Sequence, residues 1–303
     1  LVRFQEKDFE EVTLIDPTCG SGHLLLDALK LWRERYAERY PDWPRERIFR
    51  TVVERHLFGA DINEYACALA RFRLLIEGCN WTGVRDLNGF RDLHFHIVCC
   101  DSLIPYEDPN VVYQQVALGQ TEAEVAAQVA EAFGTPETVR RAVALFSRRY
   151  DVAVGNPPYI SPKDPRKRSL YRKWYTSAHS KYGLVAPFVE RFLQLVERGG
   201  RVGMINSNAF ARRQYGRKLI EEVLPRYDLE AVIDLSGAHI PGHGTPTLIL
   251  FARNQPPVSD TVIVLSNLKG EPGTPSDPAQ GKVWQSVARG FAAGPGYADE
   301  YVD

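Results

Sequence analysis

Val12-Thr13-Leu14-Ile15-Asp16-Pro17-Thr18-Cys19-Gly20-Ser21-Gly22 is the stretch on which the fold turns. A short apolar run ends in an acid, and a glycine-bearing turn follows. Residues 23–39 then place Leu24, Leu25, Ala28, Leu31 and Trp32 at helical spacing. A strand that turns tightly into a helix is the opening unit of an open α/β sheet. Gly20 and Gly22 permit the turn and let the backbone approach a ligand closely. The turn has two readings. Free N–H groups at the helix start can hold an anionic group such as a carboxylate, or Ser21 simply caps its own helix. A Walker-type phosphate loop is excluded, because no Lys-Ser or Lys-Thr follows the glycines.

The same rhythm continues along the chain. Residues 12–16, 56–61, 94–101, 150–155, 201–206, 229–235 and 247–252 read as buried strands. Between them, residues 64–77 carry Ala68, Leu69, Phe72, Leu75 and Ile76 at helical spacing, and residues 184–198 carry Val185, Phe188, Val189, Phe192, Leu195 and Val196. Alternating strands and helices predict an α/β fold with a doubly wound, mostly parallel seven-stranded sheet. Residues 106–149 interrupt it as a helical insertion with helices over 122–133 and 136–146. Past Arg253 come a polar stretch with prolines, a strand-like run over 261–268 and, after Gly270, a Pro/Gly-rich tail of low periodicity. This organisation suggests a catalytic domain over 1–255 and, over 256–303, the start of a C-terminal extension leading to a further domain.

Composition narrows the function classes. The chain has 303 residues, 44% of them hydrophobic and 25% charged, enough to bury a core without disulfide staples. With 37 Lys+Arg against 38 Asp+Glu, any nucleic-acid contact must come from a local patch. The five cysteines form no CxxC pair, which suits a reducing compartment. No apolar run is long enough to span a bilayer and no signal peptide opens the chain, so the expectation is a soluble, cytoplasmic protein without membrane contact. The seven histidines show no metal-ligand spacing, and no metal is expected.

Two further acids end strands. Asp61, followed by Ile62, can accept hydrogen bonds from two ribose hydroxyls, or it caps the next helix. Asp101, followed by Ser102, can accept from an exocyclic adenine amine, or it is a turn residue. Together with Asp16 they sit at carboxyl ends of consecutive strands, where ligands bind in open α/β sheets. A shared pocket for a nucleoside-containing cofactor outweighs three independent turns.

Asn156-Pro157-Pro158-Tyr159 follows the strand over 150–155. Two prolines stiffen the backbone and remove two N–H donors. The Asn156 side-chain oxygen and the Pro157 carbonyl can then both act as acceptors. A planar amine such as adenine N6 is a poor nucleophile, because its lone pair is delocalised into the ring. Two acceptors holding its hydrogens favour a pyramidal nitrogen and free the lone pair for an electrophilic methyl, an interaction aimed at the transition state. Tyr159 can stack on the flat target.

These motifs, in this order, resemble the gamma class of N6-adenine DNA methyltransferases. The resemblance covers about residues 10–255 and includes Gly199-Gly200-Arg201-Val202-Gly203 and Asn206-Ser207-Asn208-Ala209-Phe210. Residues 234–253, with Gly242-His243-Gly244-Thr245-Pro246-Thr247, are similar to the methylases of restriction-modification and phage-exclusion systems of the phage-growth-limitation (BREX) type. The resemblance implies a Rossmann-like fold and S-adenosyl-L-methionine as cofactor. Asp16, Pro17, Thr18, Cys19, Gly20, Ser21 and Gly22 would hold its methionine end, Asp61 and Ile62 its ribose side, and Asp101 and Ser102 its adenine, with Asn156 beside it. Asn156, Pro157, Pro158 and Tyr159 would be catalytic. The target base would be flipped from double-stranded DNA, with other subunits of a defence complex as further partners. Three departures stand out. Residues 237–244 contain no Phe, Tyr or Trp, only eleven residues precede Val12, and the sequence-reading domain such enzymes carry is not recognisable in these residues and is expected after residue 303.

Residues 161–181 supply the basic patch. Lys163, Arg166, Lys167, Arg168, Arg172, Lys173 and Lys181 face one acid, Asp164, a local balance of +6, with Tyr171, Trp174, Tyr175 and nearby Tyr182 interleaved. Basic groups suit phosphates and aromatics suit unpaired bases. Other readings are methylation of an rRNA guanine N2 or a protein glutamine, or a silent module that binds cofactor or DNA. Cytosine-C5 chemistry is disfavoured, because the chain has no Pro-Cys pair.

Overall fold

All seven runs read as strands form strands. They are β1 (Leu14–Asp16), β2 (Leu57–Asp61), β3 (His96–Cys99), β4 (Tyr150–Gly155), β5 (Val196–Ser207), β6 (Asp228–Asp234) and β7 (Thr247–Arg253), and β8 (Ile263–Leu265) is an eighth. The structure, a computed structural model, describes residues 7–108, 135–238 and 246–303. The helix expected over 122–133 and loop residues 239–245 lie outside the described residues. The chain divides into two compact units, Leu1–Gly155 and Asn156–Asp303.

In the first unit the strands run β3-β2-β1-β4, with every pair parallel. The register sets Asp16 opposite Gly59 and Asp61 opposite Cys99, so the acid-bearing strand ends share one edge. Helices α1 (His23–Arg39), α2 (Arg45–Arg55) and α3 (Glu64–Thr82) bury Leu25, Leu29 and Trp32, Phe49 and Val52, and Ala70 and Leu74 in one core. A methyl group at Gly78 would overlap the buried Phe49 ring, so the close α2–α3 contact needs glycine there. Helix α4 (Pro136–Phe146), the second half of the expected insertion, starts at a Thr135 cap and buries Ala142, Leu145 and Phe146.

His56 locks this core. It is 1% exposed, and its Nδ1 lies 2.7 Å from the Val12 carbonyl. A carbonyl only accepts, so Nδ1 carries the proton and Nε2 accepts from the Tyr36 hydroxyl at 2.8 Å. Burial holds the His56 pKa below its ordinary value.

In the second unit the order is β5-β7-β6-β8. β7 is antiparallel to both β5 and β6, and β8 is parallel to β6. Helix α5 (Pro165–Trp174) opens with an Asp164 cap, α6 (Val185–Leu195) is buried almost throughout, and α7 (Ala209–Arg212) is a single short turn. The tail read as irregular contains α8 (Lys282–Ala293), whose Val283 and Val287 pack with Ile233, Leu235 and Leu265. Its apolar stripe is brief and flanked by Pro and Gly, which hid it. Parallel pairing predominates across the described strands, as expected for a doubly wound fold.

Tyr36→Phe should cost about 1–3 kcal/mol, the penalty for a buried acceptor left unpaired, read from urea midpoints. A depressed His56 pKa contributes stability above the unfolded value, about 6.5, that is lost as pH falls through the folded value. Urea midpoints should therefore drop on acidification below about pH 6.5, and less steeply in His56→Gln.

Candidate active site

The turn after β1 is held from three sides. The Asp61 carboxylate accepts from the Gly20 N–H at 3.0 Å and, through its other oxygen, from Asn63 N–H at 2.8 Å. Ser102 Oγ, buried at the end of the third strand's segment, donates to the Pro17 carbonyl at 2.6 Å. Cys19 N–H donates to the Ala60 carbonyl. Gly20 and Gly22 adopt φ +50° and +82°, and a methyl group on Gly22 would press on Ala70 at 3.0 Å. Cys19 packs beneath the turn at 5% exposure, its thiol pKa raised by a hydrogen bond to Cys67 and by burial. The structure thus joins the three sequence-predicted strand ends into one backbone cradle.

Asp16 is 2% exposed, and one of its oxygens accepts from Thr18 N–H and Thr18 Oγ. Burial pushes its pKa up to about 7, against the lowering effect of the Thr18 bonds, and the nearby Asp61 adds to the rise. No cation pairs with it among the described residues. Asp101 is also buried, and its Oδ1 accepts from Leu103 N–H.

S-adenosylmethionine offers an ammonium, a carboxylate, a ribose diol and an adenine. The residues present fit each part. A buried carboxylate without a cation suits the ammonium. Helix α1 begins at Gly22 with no side-chain cap and no acid in its first turn, which leaves N–H groups for a carboxylate. Ser21 therefore does not cap α1; its hydroxyl and carbonyl accept from Arg73 at 3.1 Å. Asp61 uses two of about four lone-pair positions and keeps the others for a diol. Ile62, 63% exposed, offers bare apolar surface to a flat ring.

Asn156 and Pro158 are exposed, Pro157 is buried, and Tyr159 lies between. The Tyr159 hydroxyl donates to Asn156 Oδ1 at 2.5 Å, and burial pushes its pKa up to about 12, so it stays a donor near neutrality. One lone pair of Oδ1 remains for a target amine. Leu184 N–H donates to the Ile160 carbonyl and anchors the segment's far end.

The basic segment is partly internal. Arg168 donates to the Pro162 carbonyl, and Arg172 donates to the Ser180 carbonyl while lying 5.8 Å from the Tyr182 ring centroid. Tyr171, Tyr175 and Tyr182 are at most 4% exposed, so they form core rather than a stacking platform. Lys163, Arg166 and Lys173 are exposed, Lys167 half so. Nothing in the sequence marks Arg73, which on α3 looks like an ordinary surface arginine. No helix among the described residues is long and apolar enough to cross a membrane, and no cluster of three or more His, Cys, Asp or Glu there could hold a metal.

A parallel sheet whose strand ends carry a glycine turn and an acidic clamp, with an Asn-Pro-Pro-Tyr sequence following β4, is a Rossmann-like fold. The chain belongs to the Eco57I restriction-modification methylase family, whose model matches residues 55–240. It is 36% identical to an adenine-specific methyltransferase PglX of Streptomyces coelicolor over 93% of this chain and 24% of that protein. It is 26% identical to the Lacticaseibacillus casei adenine-specific methyltransferase PglX over 67% of this chain and 20% of that one. Its fold is similar to that of a nuclease-deletion mutant of the Type ISP restriction-modification enzyme LlaGI in complex with a DNA substrate mimic, with a TM-score of 0.55 at 14% identity over 84% of this chain and 21% of the other. The chain thus spans about a quarter or less of the length of these relatives.

If Asp16 holds the cofactor ammonium it must be ionised, and with burial raising its pKa to about 7 a bound cation would displace a proton. S-adenosylmethionine affinity measured by calorimetry should therefore rise with pH through about 7. Asp16→Asn should weaken binding and flatten that rise.

Proposed function

We propose that this chain is the catalytic part of an adenine-N6 DNA methyltransferase in a restriction-modification or phage-defence system. The observation that carries this reading is one of register. β1 and β4 lie side by side with Ile15 opposite Ala153, so the glycine turn leaves β1 at the same end at which β4 closes with Gly155, the residue before Asn156. Double-stranded DNA is the substrate, and other subunits of the defence complex are further partners.

When bound, S-adenosylmethionine supplies a methyl group on an electrophilic sulfonium. Asp16 would hold its ammonium, the uncapped start of α1 its carboxylate, and Asp61 its ribose. Asn156 Oδ1 and the Pro157 carbonyl accept the two hydrogens of the target amine and favour the pyramidal nitrogen that attacks. Two trans proline bonds keep this corner rigid, so little reorganisation accompanies the reaction. The Tyr159 ring stacks on the flipped base. Lys163, Arg166 and Lys173 meet backbone phosphates, while Arg168 and Arg172 hold the segment's shape.

The decisive experiment maps methylated adenines at base resolution in cells with and without the full-length protein. Asn156→Ala should abolish the signal and leave S-adenosylmethionine binding intact. Methyl transfer to ribosomal RNA or to a glutamine-containing protein, with none to duplex DNA, would overturn the reading. Tyr159→Phe should retain most activity because the ring remains. Tyr159→Ala should lose roughly 1–3 kcal/mol of base binding, seen in KM for DNA. Replacing Lys163, Arg166 and Lys173 together by Ala should reduce the salt dependence of duplex binding by about 0.9 in log–log slope for each phosphate no longer neutralised.

A further inference from the structure

A second cationic cleft lies within the first unit, between α4 and the edge strand β3. Its volume is about 340 Å³, and its lining includes Phe58, His94, His96, Arg140, Arg141 and Arg148. It is reached from solvent past the exposed His94, Arg140 and Arg148. The floor is apolar, formed by Phe58, Val98 and Leu145, and the rim is basic. In the parallel register Phe58 faces His96, at the entry ends of β2 and β3 and away from the acid-bearing ends.

The charges in this cleft are not balanced internally. Among the described residues Glu137 is the one acid in the lining, and Arg140 grips both of its oxygens. The Arg141 guanidinium donates to the Ile97 carbonyl. The Arg148 guanidinium lies 4.5 Å from the Phe58 ring centroid. No carboxylate pairs with Arg141 or Arg148 among the described residues. Stacking on an aromatic ring holds a guanidinium in place while leaving its N–H edge free. His96 stacks on the same ring at 4.7 Å, with Nε2 donating to the Glu54 carbonyl, and His94 meets His96 edge-on at 4.7 Å. The Glu54 carboxylate is turned to the His94 backbone N–H. Two arginines without a carboxylate, a third at the rim and a pair of imidazoles therefore converge on an open apolar floor.

We infer that this cleft takes a phosphodiester of a nucleic-acid strand, with the phosphate on Arg148, Arg140 and Arg141 and the adjoining nucleoside over the apolar floor. The volume falls at the low end of pockets that take a small organic ligand, about 300–1,000 Å³, and is much larger than a bare phosphate needs. An open rim suits a continuous strand rather than an enclosed metabolite. The assignment rests on the reading above that DNA is the substrate, and it adds a binding surface on the first unit that is separate from the basic segment of the second.

The test measures duplex binding by the full chain, as log K against log sodium chloride, for the wild type, Arg148→Ala, Arg148→Lys and the double variant Arg140→Ala/Arg148→Ala. The slope should fall in Arg148→Ala, fall by about 0.9 in the double variant, where the one phosphate is no longer neutralised, and be retained by Arg148→Lys. Melting temperature and S-adenosylmethionine affinity should stay at wild-type values. An unchanged slope in Arg148→Ala overturns the inference, as does weaker binding at unchanged slope, which would report damage to the fold. Deoxyadenosine monophosphate is titrated in parallel. Loss of its binding in Arg148→Ala with an unmoved duplex slope would assign the cleft to a free nucleotide instead. If the wild type transfers methyl groups while the slope is unmoved, only the cleft assignment falls. If it neither binds duplex nor transfers methyl groups, both readings fall.

Discussion

The hydrogen bond from Gly20 N–H to the Asp61 carboxylate is the tie on which the candidate cofactor site depends. It joins a turn with two left-handed glycines to the end of a neighbouring strand, and the same carboxylate starts α3 through Asn63. One acid thus fixes the turn, orients the following helix and still has acceptor capacity for a ligand. The Ser102–Pro17 bond does the same from the third strand. Three loops share a short, partly buried network, in which each bond is strengthened by low local polarity.

Much of this was legible in the sequence, because strand ends announce themselves. An apolar run closed by an acid marks both the end of a buried strand and the start of a ligand-facing loop, and Asp16, Asp61 and Asp101 all read this way. What the sequence could not reveal is how each polar group is occupied. Ser21 reads as a cap, yet it accepts from Arg73, a residue more than fifty positions away. Asn156 reads as a free acceptor, yet Tyr159 already donates to it. Local spacing carries no information on partners that only the folded chain supplies.

The basic segment shows the same limit in another form. Aromatics among lysines look like a stacking surface, but Tyr171, Tyr175 and Tyr182 turn inward and Arg168 and Arg172 bind backbone carbonyls. Glu190, buried on α6, accepts from Thr176 and Ser177 N–H and anchors the end of the segment. The run is a small packed body, with Lys163, Arg166 and Lys173 exposed around its buried tyrosines.

The β8 and α8 addition has a consequence for handling the protein. β8 pairs with β6 in parallel, and α8 covers Ile233 and Leu235. Trimming the chain at residue 255, where composition suggests a boundary, would strip β6 of β8, one of its two neighbours, and bare a row of unsatisfied backbone groups beside apolar side chains. Such rims recruit other chains and lead to aggregation. The segment that looks most dispensable is a guard against self-association.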